Sequence, residues 1–173
     1  MISNLGLKFS KLLKEKGKSK AIVTKDDSIS FEQLNKRSDI LCQWLISKNF
    51  SQHDIVCISS EKSIFNYSLI IALIKLGITY VVLDRKSPSK RLKKIINQIK
   101  PKAIILKEIN SLKNKFKKTF IIGKILKKKI SSKQLTFSYQ FIPSSSIAYL
   151  MFTSGSTGDP KGVAISHSKL LFF

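Results

Sequence analysis

Between residues 54 and 106, apolar runs of strand length alternate with apolar runs of helix length, and this alternation restricts the fold more than any other feature. Asp54 to Ile58, Ile78 to Leu83 and Ala103 to Leu106 are short and almost continuously apolar. That is the pattern of parallel strands buried on both faces. Between the first two lies Ser63 to Leu76, an apolar helix with Gly77 placed as its left-handed cap. Between the second and third, Ser87 and Pro88 supply an N-cap and a favoured first helical residue. That helix runs to about Lys100 with Leu92, Ile95, Ile96 and Ile99 on its inner face, and Pro101 stops it. Strand, helix, strand, helix, strand at this spacing predicts an α/β chain with a mostly parallel sheet, flanking helices and right-handed crossovers.

The flanks extend the pattern less regularly. Leu5, Phe9, Leu12 and Leu13 share one helical face, so Leu5 to Leu13 reads as a helix packed on the domain rather than on a membrane. Ala21 to Thr24 is a strand and Lys25 to Ser28 the turn after it. Ser30 with Gln33 forms a capping box for a helix reaching about Lys48, whose buried face carries Leu34, Leu41, Trp44 and Leu45. Trp44 on that face reads as core. Beyond Leu106, Phe120 to Ile122 is a strand, Phe137 to Phe141 alternates as a half-buried strand would, and Ser144 to Ser146 is a loop. Lys127 to Lys129 reads as a solvated face.

With 173 residues, 43% of them hydrophobic, and mean hydropathy +0.01, the chain can bury the core of one domain. Leu69 to Leu76 is the longest apolar stretch; it contains Lys75 and falls far short of the roughly 20 residues a membrane span needs. No signal peptide is visible in Met1 to Ser10, so a cytoplasmic location is the default. Cys42 and Cys57 sit in apolar periodic segments and read as buried thiols, not as a disulfide or metal pair. The net charge of +22 invites a nucleic-acid reading. Its distribution argues against it: residues 86 to 133 alone hold sixteen Lys and Arg91 against Glu108. Of the 32 basic residues 29 are Lys, whereas base-edge and bidentate phosphate readers favour Arg.

Near the end the texture changes. Ile147 to Phe152 is a strand-like run, and Val163 to Ile165 returns to strand character. Between them Thr153, Ser154, Ser156 and Thr157 bring four hydroxyls, Gly155, Gly158 and Gly162 bring bare backbone, and Lys161 brings one cation. Glycines let amide N–H groups approach an anion, hydroxyls donate to phosphate oxygens, and an ammonium adds charge on a flexible stem. The segment is built to cradle a polyphosphate. It is not the Walker A loop, because Pro160 stands where the second glycine belongs and Gly162 where the Mg²⁺-binding hydroxyl belongs. It is not the dinucleotide fingerprint either, since Thr157 occupies its second glycine position.

The run Thr153 to Gly162, T-S-G-S-T-G-D-P-K-G, resembles the phosphate loop of the adenylate-forming (AMP-binding) enzymes at every fixed position. Ser30 to Leu34 is similar to that superfamily's early helix start. Gly77 to Asp84, with Pro88 and Arg91-Leu92, is similar to its G-x-x-Y-V-P-L-D…P…R-L segment, with Val82 in place of the proline. That segment is nearest to the amino-acid adenylation domains and the D-alanine–carrier protein ligases. The resemblance spans roughly residues 10 to 173 and implies the partial N-terminal subdomain of the adenylate-forming fold, residues 1–173 being cut just after the phosphate loop. The motif around the adenine and Mg²⁺, the ribose-binding aspartate, the acid pocket and the terminal catalytic lysine would all lie beyond Phe173. The expectation is therefore a chain that is inactive alone.

What the resemblance implies for the chemistry is an ATP-dependent, AMP-forming ligase. A carboxylic or amino acid attacks the α-phosphorus, pyrophosphate leaves, and the acyl group passes to a thiol. Thr153, Ser154, Gly155, Ser156, Thr157, Gly158, Lys161 and Gly162 would bind ATP, and Lys161 would neutralise charge on the departing pyrophosphate. Pro160 would stiffen the loop; Asp159, at a variable position, receives no role. The expected cofactors are ATP and Mg²⁺, with no metal-ligating residue in this chain. Expected partners are the acid substrate and either a phosphopantetheine carrier protein or a second polypeptide supplying the missing domain, with no membrane. His167, lacking an acid or nucleophile partner in the sequence, reads as a cap or surface histidine. Two alternatives stay open: an inactive nucleotide-binding or interaction module, and a basic nucleic-acid-associated protein.

Overall fold

The computed structural model describes residues 5–25, 27–109, 111–113, 118–127, 141–154 and 159–171. Helix α1 (Leu5–Lys16) leads into a small antiparallel hairpin of β1 (Lys20–Val23) and β2 (Ser28–Ser30). Ser28, read from the sequence as the end of a turn, is the first residue of β2, a strand too short for its pattern to show. Helix α2 (Phe31–Ser47) starts at the expected capping box. The Gln33 amide donates to Ser30 Oγ at 3.2 Å, and the Ser30 amide donates to Gln33 Oε1 at 2.8 Å.

The rest is a doubly wound sheet. In chain order come β3 (Ile55–Ser59), α3 (Ile64–Lys75), β4 (Thr79–Leu83), α4 (Ser89–Ile99), β5 (Ala103–Leu106) and β6 (Thr119–Ile121). A 3-10 helix (Gly123–Lys127), β7 (Ile147–Ser154), β8 (Pro160–Ser166) and the short α5 (His167–Leu171) follow. The six strands lie in the order β6-β5-β3-β4-β7-β8, parallel except for β8, which returns antiparallel to β7. The chain moves from β3 outward to β4 and then back across β3 to β5, so the direction of winding reverses between β3 and β4.

That reversal places helices on both faces. Successive residues of a strand point to opposite sides. Val56 and Ile58 of β3 and Ala103 and Ile105 of β5 pack with Leu41, Leu45, Leu69 and Leu73 of α2 and α3. Cys57, Ile104 and Leu106 face the other way and pack with Val81, Leu83 and with Leu92, Ile95 and Ile96 of α4. Every residue of β5 is buried, as its unbroken apolar run requires. Trp44, expected in the core, is half-buried and packs against it, edge-on to Phe120 with ring centroids 5.2 Å apart. Both cysteines are buried and unpaired with each other, and burial pushes each thiol up to about 12.

Two expectations shift. The cap of α4 is Pro88, not Ser87, with the helix starting at Ser89 and no side-chain cap bond. The alternating stretch Phe137 to Phe141 lies outside the described residues except for Phe141, which is exposed and in no strand. Lys128 and Lys129 of the lysine run also lie outside them.

Candidate functional site

Parallel strands bring their carboxyl ends to one edge of the sheet, and ligands of open α/β sheets bind outside that edge near a reversal of winding. Here β3 ends at Ser59, β4 at Leu83 and β7 at Ser154. Just beyond the first two, the Ser60 amide donates to the Leu83 carbonyl at 3.0 Å, and Arg85 pairs with Glu61 at 2.6 Å. Asp84 Oδ1 accepts from the Lys86 amide at 2.9 Å, closing the turn that leads to α4.

β7 is fixed to β4 before it reaches this edge. Tyr80 faces Tyr149 and Val81 faces Leu150 in parallel register. The two tyrosine rings stack at 5.4 Å and 21°, and Thr79 Oγ1 donates to the Ile147 carbonyl at 2.9 Å. Burial, with the second tyrosine beside it, pushes the Tyr80 hydroxyl up to about 12, so it stays protonated.

Beyond β7 the chain comes back along it as β8. In the β7–β8 ladder Thr153 stands opposite Lys161, Ser154 opposite Pro160 and Phe152 opposite Gly162. The structure thus brings Thr153 and Lys161 together as exposed neighbours across one hairpin. Gly155, Ser156, Thr157 and Gly158 lie outside the described residues. A Cβ on Gly162 would stand 3.2 Å from Cε1 and Cζ of Phe152, tighter than ordinary packing allows. The bare backbone at Gly162 therefore gives the Phe152 ring its place.

Three groups emerge that the sequence did not single out for the site, Asp159, Lys94 and Arg91, whereas His167 lies at the other end of the β7–β8 pair, beside Ser146. Asp159, assigned no role from its variable position, pairs with Lys94 of α4, and that hydrogen bond holds its carboxyl below the usual range. Arg91, one turn earlier on α4, donates through Nη2 to the Phe152 carbonyl at 3.3 Å. No sequence signal joins residues 61 and 65 positions apart. His167 is not at the surface: it is fully buried, its amide donates to the Ser146 carbonyl at 2.9 Å, and among the described residues neither ring nitrogen has a hydrogen-bond partner. Burial lowers its pKa, so the ring is neutral.

Between α4, β4 and β7 lies a cleft of about 480 Å³, lined among others by Asp84, Ser87, Arg91, Tyr149 and Phe152. Among the described residues no group of three or more His, Cys, Asp or Glu side chains forms a metal site, and no helix is long and apolar enough to cross a membrane.

Comparison with known proteins agrees with this geometry. The family described as AMP-binding enzyme matches residues 9–173. The chain is 34% identical over 154 residues to the nonribosomal peptide synthetase GRA1 of Gibberella zeae, covering 87% of this chain and 2% of that protein. It is 30% identical over 155 residues to the nonribosomal peptide synthetase sidD of Aspergillus fumigatus, covering 85% of this chain and 7% of that protein. Its fold is similar to the N-terminal subdomain of Klebsiella oxytoca NpsA, solved in complex with 3-hydroxyanthranilyl-AMSN. The TM-score there is 0.81 at 21% identity, over 95% of this chain and 40% of that one. The chain spans less than half the length of each of these proteins.

Proposed function

The chain belongs to the AMP-binding enzyme family, and on that premise we propose that it is the phosphate-gripping part of an ATP-dependent, AMP-forming acid–thiol ligase. The observation that carries this is that the two described ends of the T-S-G-S-T-G-D-P-K-G segment pair across β7 and β8 at the carboxyl edge of the parallel strands, with Thr153 and Lys161 in register.

In this reading a carboxylate oxygen of the acid bonds to the α-phosphorus of ATP while the bond to pyrophosphate breaks, leaving an acyl-adenylate. A thiol then takes the acyl group and AMP departs. This chain's part is to hold the tail of ATP. The hydroxyls of Thr153, Ser154, Ser156 and Thr157 and the amides at Gly155, Gly158 and Gly162 donate to the β- and γ-phosphate oxygens. Lys161 offsets the charge that builds on the leaving pyrophosphate. Preorganised donors of this kind favour the transition state because they need not reorient as charge develops. Mg²⁺ is proposed as the ion accompanying ATP, with no residue of this chain assigned to it. The amino-acid class of acid is supported by the peptide-synthetase relatives. A carrier protein as thiol donor is supported by the adenylation–PCP di-domain made by fusing NpsA to ThdA.

Nucleotide titration tests the grip. Lys161→Ala is expected to weaken ATP binding about tenfold, the size of one lost charge-assisted contact. It should leave AMP binding unchanged, because AMP lacks the phosphates that the lysine meets. Equal ATP affinities for the two chains would remove the phosphate role.

A further inference from the structure

Helix α4 lies outside the phosphate hairpin in sequence yet touches both of its strands. Arg91 and Lys94 are three residues apart, which puts them on one side of the helix, flanking the apolar face of Leu92, Ile95 and Ile96 that packs on the sheet. Arg91 Nη2 reaches the Phe152 carbonyl on β7 at 3.3 Å. Lys94 pairs with Asp159, the residue immediately before β8. Phe152 is held three ways: its carbonyl by Arg91, its ring against the bare backbone of Gly162, and its outer surface against the cluster that includes Leu92 and Ile95. The Thr153–Lys161 pair lies between the two attachment points.

We propose that Arg91 and Lys94 are positioning residues that clamp the two strands of the phosphate hairpin to α4, so that Thr153 and Lys161 are held in place before ATP arrives. The proposal rests on the reading of the hairpin as the ATP grip, and it gives Asp159 a task the motif does not. Positioning matters for such a site because donors fixed in advance lose no freedom on binding.

Charge alone and positioning make opposite predictions at Asp159. The carboxylate stands next to a site for an anion. If it acted only through its charge, Asp159→Ala would tighten ATP binding. If it anchors the hairpin, Asp159→Ala weakens binding. The pair is largely exposed, with Lys94 45% and Asp159 65% accessible, so the effect is limited to about two- to fivefold.

The experiment measures ATP affinity and amide hydrogen exchange over residues 150–154 and 159–163. Variants are Asp159→Ala, Lys94→Ala, the swapped pair Lys94→Asp with Asp159→Lys, and Arg91→Met, which keeps the stem and removes the donor. Expected are weaker ATP binding and faster exchange at 159–163 for the first two, and recovery of both towards wild type in the swap. Arg91→Met is expected to speed exchange at 150–154. Tighter or unchanged ATP binding in Asp159→Ala, or exchange that no variant moves, overturns the clamp. Should the wild-type chain bind no ATP, the reading of the hairpin as an ATP grip fails, while the exchange data still decide whether α4 holds the hairpin.

Discussion

Gly77 sits at φ +64°, where only a residue without a Cβ is unstrained, and a Cβ there would meet Gln52 Cγ at 3.0 Å and Ile142 Cγ1 at 3.1 Å. Both effects act in the folded state, so Gly77→Ala is expected to cost about 1–2 kcal/mol, read as a lower urea midpoint at unchanged slope. His167 gives a pH-dependent term. Its ring is buried and neutral in the fold, whereas the unfolded chain takes a proton near the ordinary histidine value of about 6.5. Below that pH the unfolded state binds more protons than the folded one, so stability falls as pH falls and levels off above it. Urea melts at pH 7.5 and 5.5 should show the drop in wild type and a smaller one in His167→Gln; equal drops would mean that other groups carry it.

At the scale of elements, the contact between α2 and α3 is fastened by a charge that the sequence places in an apolar run. Lys75 is fully buried, and its ammonium donates to Asn35 Oδ1, Ser38 Oγ and Asp39 Oδ1, each at 2.7 Å. A buried pair contributes little over an apolar substitute, but removing one member leaves the other charge uncompensated. Asp39→Ala is therefore expected to cost about 3 kcal/mol. Adding Lys75→Met should recover part of that loss, and denaturation of the two single variants and the double variant measures the coupling. The hairpin of β7 and β8 shows the same division between local and distant causes. Strand character on both sides of the glycine-rich segment was visible in the residues. That β8 turns back along β7 and closes the sheet at one edge is a pairing decided in three dimensions.

For the whole molecule, the charge of +22 is the dominant physical property. A lysine-rich surface attracts any polyanion through counterion release, so binding to duplex DNA is expected to fall steeply and linearly in log–log terms as salt rises. Sequence should make no difference; tight, sequence-dependent binding at physiological salt would revive the nucleic-acid reading.

The run of strands and helices from Asp54 to Leu106 followed from the residues themselves, because periodicity, caps and breakers act over a few positions. The capping box at Ser30 and the bare backbone at Gly77 are of this kind, and so was the strand character on either side of the glycine-rich segment. Folding alone decided which distant groups meet. The burial of His167, the Lys75–Asp39 pair between α2 and α3 on one face, and the reach of Arg91 and Lys94 from α4 to the β7–β8 hairpin depend on how the helices are layered on the sheet. That layering follows from the reversal of winding between β3 and β4, and nothing within a few residues of Lys94 carries the information that Asp159 will stand beside it.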